Sequence, residues 1–460
     1  MRNAKLKSIV SCLTVSAFLA GCSTIPTKTD NTDAASTAKA TETSAVSTAA
    51  AAASGKLSWD KVNDPSLKGQ EITVLVVDTD GKIGTLFKQF TEKTGIKVNE
   101  LAVDYNSLYG KITTAALSNS SDIDVVEMDT IWAGQFLKGN IAEDLTNVIP
   151  ADVQKKYTQS SLSSAMFDNH LMGIPYYSST KHFYWNKDLL KKAGYDAPPK
   201  TWDEFREASK KLTANGVYGS GWAWKQAEGL ICDYVSMVYA FGGNMIGDNG
   251  KLNVNSKESV QTLQYMSDLI NTDKTVDPAS LQWTEEDVKN AFMAGKIAMM
   301  SNWENMYPDL NDPTKSKVVN QSDVGLLPGQ GSVVSSSVTG SEGIAIMKSS
   351  KKKQAALAFL SWIGSRDFQV PFYANTGTYP SLQELYTDEA IIKADTTKSL
   401  SKIMPEFQYG HNRPNAPGYV EWADILSNQV VSGLTKHQTP QQALDEASKK
   451  IDEAIKTAAK

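Results

Sequence analysis

Residues 71–129 read EITVLVVDTDGKIGTLFKQFTEKTGIKVNELAVDYNSLYGKITTAALSNSSDIDVVEMD, and this stretch indicates the class of fold. Three short apolar runs, at 72–77, 98–103 and 123–128, are rich in β-branched residues, which is typical of buried strands. Between them, apolar side chains recur at helical spacing, at Ile83, Leu86, Phe87 and Phe90 and again at Leu108, Ile112 and Ala116. Strands that alternate with helices predict a parallel sheet covered by helices, and thus an α/β fold.

Acidic and aromatic residues follow two of these strands where each strand ends. Asp78 and Asp80 follow the first strand, and Asp129 and Trp132 follow the third. Because open α/β sheets bind ligands outside the carboxyl ends of their strands, these four side chains are candidate ligand contacts. Alternatives stay open for each of them, since an Asp after a strand often caps the next helix and a Trp there can pack in the core.

The composition argues against several classes of protein. A length of 460 residues predicts more than one compact unit. A net charge of −5 argues against nucleic acid, whose recognition needs a strongly basic face. Four histidines and three cysteines leave little material for a metal centre, and no glycine-rich nucleotide-binding motif follows the strands. The sequence therefore predicts no metal, no cofactor and no nucleic-acid partner.

The N-terminal segment has the pattern of a secretion signal. Basic residues precede an apolar run at 9–20, which is too short to span a bilayer. The run ends in Leu19-Ala20-Gly21-Cys22, which resembles the bacterial lipoprotein signal. We therefore expect a signal peptide at 1–21, a lipid on Cys22 and a disordered Ala/Ser/Thr tether over 22–56. The protein is then expected on the extracytoplasmic face of the cell membrane, in a bacterium without an outer membrane.

A set of motifs in the body of the chain points to a family. In order, they are GIPYY at 173–177, YWNKDLLKKAGY at 184–195, PPKTWDEF at 198–205, AFMAGKIAMMSNW at 291–303, EGIAI at 342–346 and NTGTYPS at 375–381. Together they resemble the carbohydrate type of extracellular solute-binding proteins of ABC importers, a family that includes maltose- and trehalose-binding proteins. The resemblance covers nearly the whole body of the chain.

The resemblance implies a fold and a division into lobes. Proteins of this family are two-lobe clamps, in which each lobe is a central sheet flanked by helices and hinge crossovers join the lobes. By analogy, the first lobe takes 57–176 plus 329–374, and the second takes 177–328 plus 375–460. The chain is expected to be a monomer and not an enzyme.

The resemblance also adds candidate ligand contacts beyond the four at the strand ends. A sugar presents hydroxyls, which suit carboxylates, and C–H faces, which suit aromatic rings. The positions that match the family's cleft are Tyr176, Tyr177, Trp222, Trp224, Glu228, Asn302, Trp303 and Arg413. For Glu228 the alternative is a carboxylate favoured by a helix start, and for Arg413 it is a surface ion pair. The loop at 340–342 lacks the family's usual aromatic, which puts a contact from it in doubt.

These features predict a membrane-anchored binding subunit of an ABC sugar importer. It would capture a di- or oligosaccharide and deliver it to the transmembrane permease, which a cytoplasmic ATPase drives. One alternative keeps the carbohydrate binder but gives it a role in sensing or surface adhesion. Another is a lipid-anchored glycoside hydrolase that uses two carboxylates such as Asp129 and Glu228. Paired acids alone do not discriminate between these functions, because binders also use acids to contact hydroxyls.

Overall fold

A computed structural model of the chain describes residues 56–78, 80–247, 251–415 and 418–458. All of them belong to one compact unit of the chain, Ala52–Lys460. The predicted signal peptide, Cys22 and the predicted tether up to residue 55 lie outside the described residues. Among the residues that are described, no helix is long and apolar enough to cross a membrane.

The strands form two main sheets. In chain order they are β1 Glu71–Val77, β2 Lys97–Val103, β3 Val125–Asp129, β4 Met166–Phe167, β5 His170–Leu171, β6 Ile174–Pro175, β7 Lys181–Asn186, β8 Tyr218–Ser220, β9 Ile297–Trp303, β10 Ser322–Gly325, β11 Ser337–Val338, β12 Glu342–Ile346 and β13 Gly410–His411. The first sheet has the order β2-β1-β3-β12-β6, and the second has the order β10-β7-β9-β8.

Helices cover both sheets and follow most of the strands. They are α1 Gly84–Thr94, α2 Tyr105–Leu117, α3 Ala133–Lys138, α4 Ala151–Gln154, α5 Gln159–Ser164, α6 Lys187–Lys192, α7 Trp202–Leu212, α8 Glu228–Ala240, α9 Lys257–Asn271, α10 Glu285–Met293, α11 Tyr307–Leu310, α12 Lys353–Ile363, α13 Arg366–Thr376, α14 Glu389–Ala394, α15 Leu400–Ile403, α16 Tyr419–Leu434 and α17 Pro440–Ala458.

The first sheet confirms the strand–helix alternation read from the sequence. β1 is parallel to both β2 and β3, and α1 and α2 connect them. Helix α1 is followed by Gly95, whose φ of 74° is the left-handed conformation that glycine adopts without strain. β12 runs antiparallel to β3, with Glu342 opposite Asp129. Because β12 runs the other way, its first residue lies at the same edge as the carboxyl ends of β1 and β3.

Each sheet has an aromatic core of its own. Around the first, Phe87 and Phe90 of α1 meet Phe359 of α12 edge-on, at ring distances of 5.1 and 5.2 Å. Around the second, Trp202 of α7 packs edge-on against Phe205 at 5.1 Å. The chain passes from one sheet to the other between β6 and β7, and again between β10 and β12. The finer lobe boundaries given above remain a prediction.

Candidate ligand-binding site

Of the two candidates after β1, Asp78 caps a helix and Asp80 lies at the surface. One oxygen of Asp78 accepts hydrogen bonds from the backbone N–H groups of Ile83 and Gly84, at 3.0 and 2.8 Å. Its other oxygen is buried without a hydrogen-bond partner. The side chain of Asp80 is 56% exposed and pairs with Lys82 at 2.7 Å. The capping alternative therefore describes Asp78, and the structure places Asp80 in a surface ion pair.

Two carboxyl groups that the sequence did not single out meet at the edge of the first sheet. Glu127 accepts hydrogen bonds from the backbone N–H of Val77 and from the hydroxyl of Tyr176, both at 2.6 Å. Glu342 lies beside Glu127, and burial together with the Glu127 charge raises the pKa of Glu342 well above its ordinary value. Tyr177 packs edge-on against Tyr176 at 4.6 Å. A charged residue inside the apolar run of β3 was the signal that could have identified Glu127.

A buried arginine connects the ends of two distant elements. Arg413 donates from Nη2 to Asp129, the last residue of β3, at 3.0 Å, and from Nη1 to Glu228, the first residue of α8, at 2.6 Å. Its side chain is only 3% exposed. Burial lowers the pKa of Arg413, but the neighbouring carboxylates outweigh it and hold that pKa well above its ordinary value. The alternative of a surface ion pair is therefore wrong for Arg413, since the pair is buried.

Arg413 and the two carboxylates that it pairs with, Asp129 and Glu228, are here called the bridge. Both carboxylates also have local roles. Asp129 accepts a hydrogen bond from the backbone N–H of Ile131, so the predicted capping role is present too. Glu228 begins α8, where the helix dipole favours a negative charge. Burial raises the pKa of Glu228, and the Arg413 charge opposes that rise. Both alternatives given for these acids therefore coexist with the ion pairs to Arg413.

The aromatic rings of Tyr105, Tyr109 and Trp132, here called the Tyr105–Trp132 wall, lie beside the bridge. The hydroxyl of Tyr105 donates to Asp129 at 2.6 Å, and its ring lies parallel to that of Trp132 at 6.0 Å. Tyr109, one helical turn further along α2, is 5.0 Å from Trp132. On the far side, Tyr419 donates to Glu228 at 2.5 Å. The sequence did not single out Tyr105 and Tyr109, although their i, i+4 spacing after a strand was a usable signal.

Except for Asp129, these side chains line an open cavity of about 270 Å³. Tyr105, Tyr109 and Trp132 line one side, and Glu228 and Tyr419 line the other. The cavity thus combines flat aromatic surface with an acid and hydroxyl groups. Among the residues that the structure describes, no group of three or more His, Cys, Asp or Glu side chains is arranged to hold a metal ion. The arrangement suits binding of a neutral, hydroxyl-rich solute.

Trp303 lies at the end of β9, half-buried beside a glycine. A Cβ atom on Gly340 would come within 2.6 Å of the Trp303 ring, so only glycine leaves room for the ring there. The ammonium group of Lys181 sits 5.4 Å from the ring centre. The loop at 340–342, which lacks the expected aromatic, therefore serves as the surface on which Trp303 packs.

Three predicted contacts lie in the protein core instead. Trp222 and Trp224 are 1% and 0% exposed and stack on each other at 5.7 Å. Trp222 also packs on Trp202 at 5.9 Å, and its Nε1 donates to Ser220. Asn302 is fully buried and donates to the backbone carbonyl of Glu285 at 2.9 Å. The Nε1 of Trp222 and the amide of Asn302 are bonded within the protein, whereas the buried Nε1 of Trp224 has no hydrogen-bond partner. The ligand prediction is corrected for these residues because burial keeps all three side chains away from a solute.

A buried acid next to Trp303 makes stability depend on pH. Glu304 accepts hydrogen bonds from the Ser179 hydroxyl at 2.9 Å and the Thr180 N–H at 3.2 Å, in the segment that connects the two sheets. Burial raises the pKa of Glu304 from 4.5 to about 8. The folded chain therefore keeps a proton that the unfolded chain has lost. The stability that this proton contributes is fully present below pH 4.5 and is lost as the pH rises through 8.

We expect the free energy of unfolding to fall between pH 6.5 and pH 8, by up to ~1.4 kcal/mol per pH unit for Glu304. The window starts at 6.5 because the buried His182, whose pKa is lowered to about 3 by burial, produces the opposite slope below that pH. Urea unfolding at pH 6.5 and pH 8 should show that the free energy of unfolding depends less on pH in Glu304→Gln than in the unmodified protein. The exposed Glu92→Gln variant serves as the control. An unchanged slope in Glu304→Gln would contradict the assignment.

Comparison with known proteins identifies the family of this chain. Residues 78–370 match the model of the bacterial extracellular solute-binding protein family. A probable ABC transporter-binding protein of Deinococcus radiodurans is 29% identical over 337 residues, which are 71% of this chain and 79% of that protein. The maltose-bound MalE3 structure of T. maritima has a TM-score of 0.76 and 26% identity, and the match covers 84% of this chain and 99% of that one.

A second solved structure gives a similar result. A solute-binding protein of an ABC transporter from Agrobacterium radiobacter, in complex with ribitol, has a TM-score of 0.74 and 26% identity. The match covers 83% of this chain and 98% of that one. These likenesses confirm the predicted fold, a two-lobe α/β clamp. The chain belongs to the bacterial extracellular solute-binding protein family.

Proposed function

We propose that this chain captures a di- or oligosaccharide between its two lobes and delivers it to the permease of an ABC importer. The observation that carries the proposal is the cavity of about 270 Å³ between the Tyr105–Trp132 wall and Glu228. Capture needs no chemical step. The lobes close because the ligand binds the closed arrangement more tightly than the open one.

The chemistry of the cavity supports a carbohydrate. The partly exposed ring of Tyr105, which stacks on the buried ring of Trp132, suits the C–H surface of a sugar, while Glu228 and the hydroxyl of Tyr419 suit its hydroxyls. Maltose and ribitol, which are bound in the two similar structures, are both rich in hydroxyl groups. The number of aromatic rings favours a ligand of two or more sugar units.

The N-terminal segment supports attachment to the membrane. A lipid on Cys22, followed by the Ala/Ser/Thr tether, would hold the binding unit on the extracytoplasmic face of the membrane. The binding unit would act there as a monomer. A tether of this kind raises the local concentration of the binder near the permease. It fits a bacterium without an outer membrane, in which the lipid is the link that retains the protein.

Binding fits the bridge geometry better than hydrolysis does. A glycosidase needs two carboxyl groups that are free to act on the sugar bond. Asp129 and Glu228 each accept a hydrogen bond from Arg413, which lies between them. Release of sugar from a labelled oligosaccharide at catalytic rates would overturn this part of the proposal.

The test is thermal unfolding of the full-length Cys22→Ser protein with a panel of mono-, di- and oligosaccharides. A ligand at 100 times its dissociation constant adds about 2.7 kcal/mol to the folded state, which raises Tm by a few degrees. The shift should vanish in Trp132→Ala and Glu228→Gln. It should persist in Trp59→Ala, remote from the cavity, and in Glu258→Gln, another acid in a first helical turn. If no sugar shifts Tm, the carbohydrate proposal fails, and peptides and polyamines become the next candidates.

A further inference from the structure

The segment Gly410–Asn415, here called the strap, contacts both lobes. The start of the strap contacts α8, which belongs to the second lobe. There the ring of His411 stacks on Tyr239 at 4.2 Å, with the two planes only 6° apart. Stacking at that distance and angle holds the start of the strap to α8. The residues that follow reach the other lobe.

Three side chains of the strap bond to three elements around the first sheet. Asn412 donates to the hydroxyl of Ser163 in α5 at 3.1 Å. Arg413 donates to Asp129 in β3 at 3.0 Å. Asn415 donates to the backbone carbonyl of Met166 in β4, also at 3.1 Å. Three such bonds from four consecutive positions place the strap across the boundary between the lobes.

The backbone of the strap also lies close to the backbone of α3. A Cβ atom on Gly134, in the first turn of α3, would lie 2.5 Å from the carbonyl oxygen of Asn415. Only glycine at 134 therefore lets the strap come this near. Arg413 lies between the two asparagines, so their bonds define where its guanidinium can sit.

We propose that Asn412 and Asn415 are positioning residues, which hold the strap against the first lobe and keep part of the population closed before any solute binds. The inference rests on the lobe closure of the proposed function but not on the identity of the solute. Solute affinity then depends on the closed population, which the hydrogen bonds of the two asparagines shift. Each neutral hydrogen bond accounts for about a three- to tenfold change in the closed-to-open ratio.

The test measures the distance between the lobes with paired spin labels and no sugar added. The labels are placed on the exposed positions Lys138→Cys in α3 and Gln441→Cys in α17, in the full-length chain carrying Cys12→Ser and Cys22→Ser. The remaining Cys232 is buried and stays unlabelled. Double electron–electron resonance then gives the closed and open fractions directly.

Asn412→Ala and Asn415→Ala should each lower the closed-to-open ratio about three- to tenfold. Asn290→Ala should leave the ratio unchanged, because the Asn290 amide donates to Glu286 in the same helix. Ser163→Ala should have the effect of Asn412→Ala, and the double variant should lose no more than either single one. Unchanged distances, or additive losses in the double variant, would overturn the inference. Because no sugar is added, a failure of the carbohydrate proposal would not alter this result.

Discussion

Replacing Arg413 by alanine should lower the free energy of unfolding by about 3–5 kcal/mol, the usual cost of removing one partner from a buried ion pair. The substitution leaves the carboxylates of Asp129 and Glu228 without the cation that lies 3.0 and 2.6 Å from them. An unpaired charge in a buried site is expensive because water no longer solvates it. Urea unfolding at neutral pH measures the loss.

Arg366 offers a matched control on the surface. It makes a two-pronged pair with Asp388, at 2.6 and 3.0 Å, but its side chain is 55% exposed. Arg366→Ala should therefore cost less than about 1 kcal/mol. Combining Arg413→Met with Asp129→Asn and Glu228→Gln should recover much of the loss, because no buried charge then remains. Equal losses in Arg413→Ala and Arg366→Ala would contradict the buried bridge.

Replacing Lys181 by methionine should also cost about 3–5 kcal/mol at pH 8. Lys181 is completely buried and lies 2.8 Å from Asp233 and 3.6 Å from Glu285. Burial raises the pKa of Asp233 to about 6 even with the lysine present. Without the lysine the carboxyl should take up a proton more readily, so the loss should be smaller at pH 5 than at pH 8.

Two comparisons separate this effect from simple loss of packing. Lys181→Met combined with Asp233→Asn should be more stable than Lys181→Met alone, because the unpaired carboxylate is gone. Lys315→Met removes a lysine that is 52% exposed and pairs with Asp309, and it should cost less than about 1 kcal/mol. A loss in Lys181→Met that is the same at pH 5 and pH 8 would show that the carboxylate of Asp233 is not its cause.

The sequence predicted the elements of the first sheet because their signals are local. A run of β-branched residues and a helical spacing of apolar residues each lie within about ten positions, so β1, α1, β2, α2 and β3 were found in the right order. The resemblance to a family added the two lobes, which no local pattern predicts.

The candidate site was only partly predictable. Asp129, Trp132, Glu228 and Arg413 were named from the sequence, and the structure brings them together, although Arg413 is 284 residues from Asp129 along the chain. Asp80, Trp222, Trp224 and Asn302 were named by the same reasoning, yet they lie at the surface or in the core. Thermal unfolding of Trp132→Ala and Glu228→Gln with sugars tests the contact of these residues with a solute.

Local pattern alone thus specified the strands and helices of the β1–β3 region, and the family resemblance added the residue types that suit a sugar. It could not specify which face of an element turns toward the cleft. The face that turns toward the cleft depends on packing partners elsewhere in the chain. Trp222 packs on Trp202 in the core, whereas the ring of Trp303 packs on Gly340 and stays partly exposed. Side chains of equal chemistry therefore acquire different surroundings, because burial is set by packing among distant segments and not by spacing along the chain.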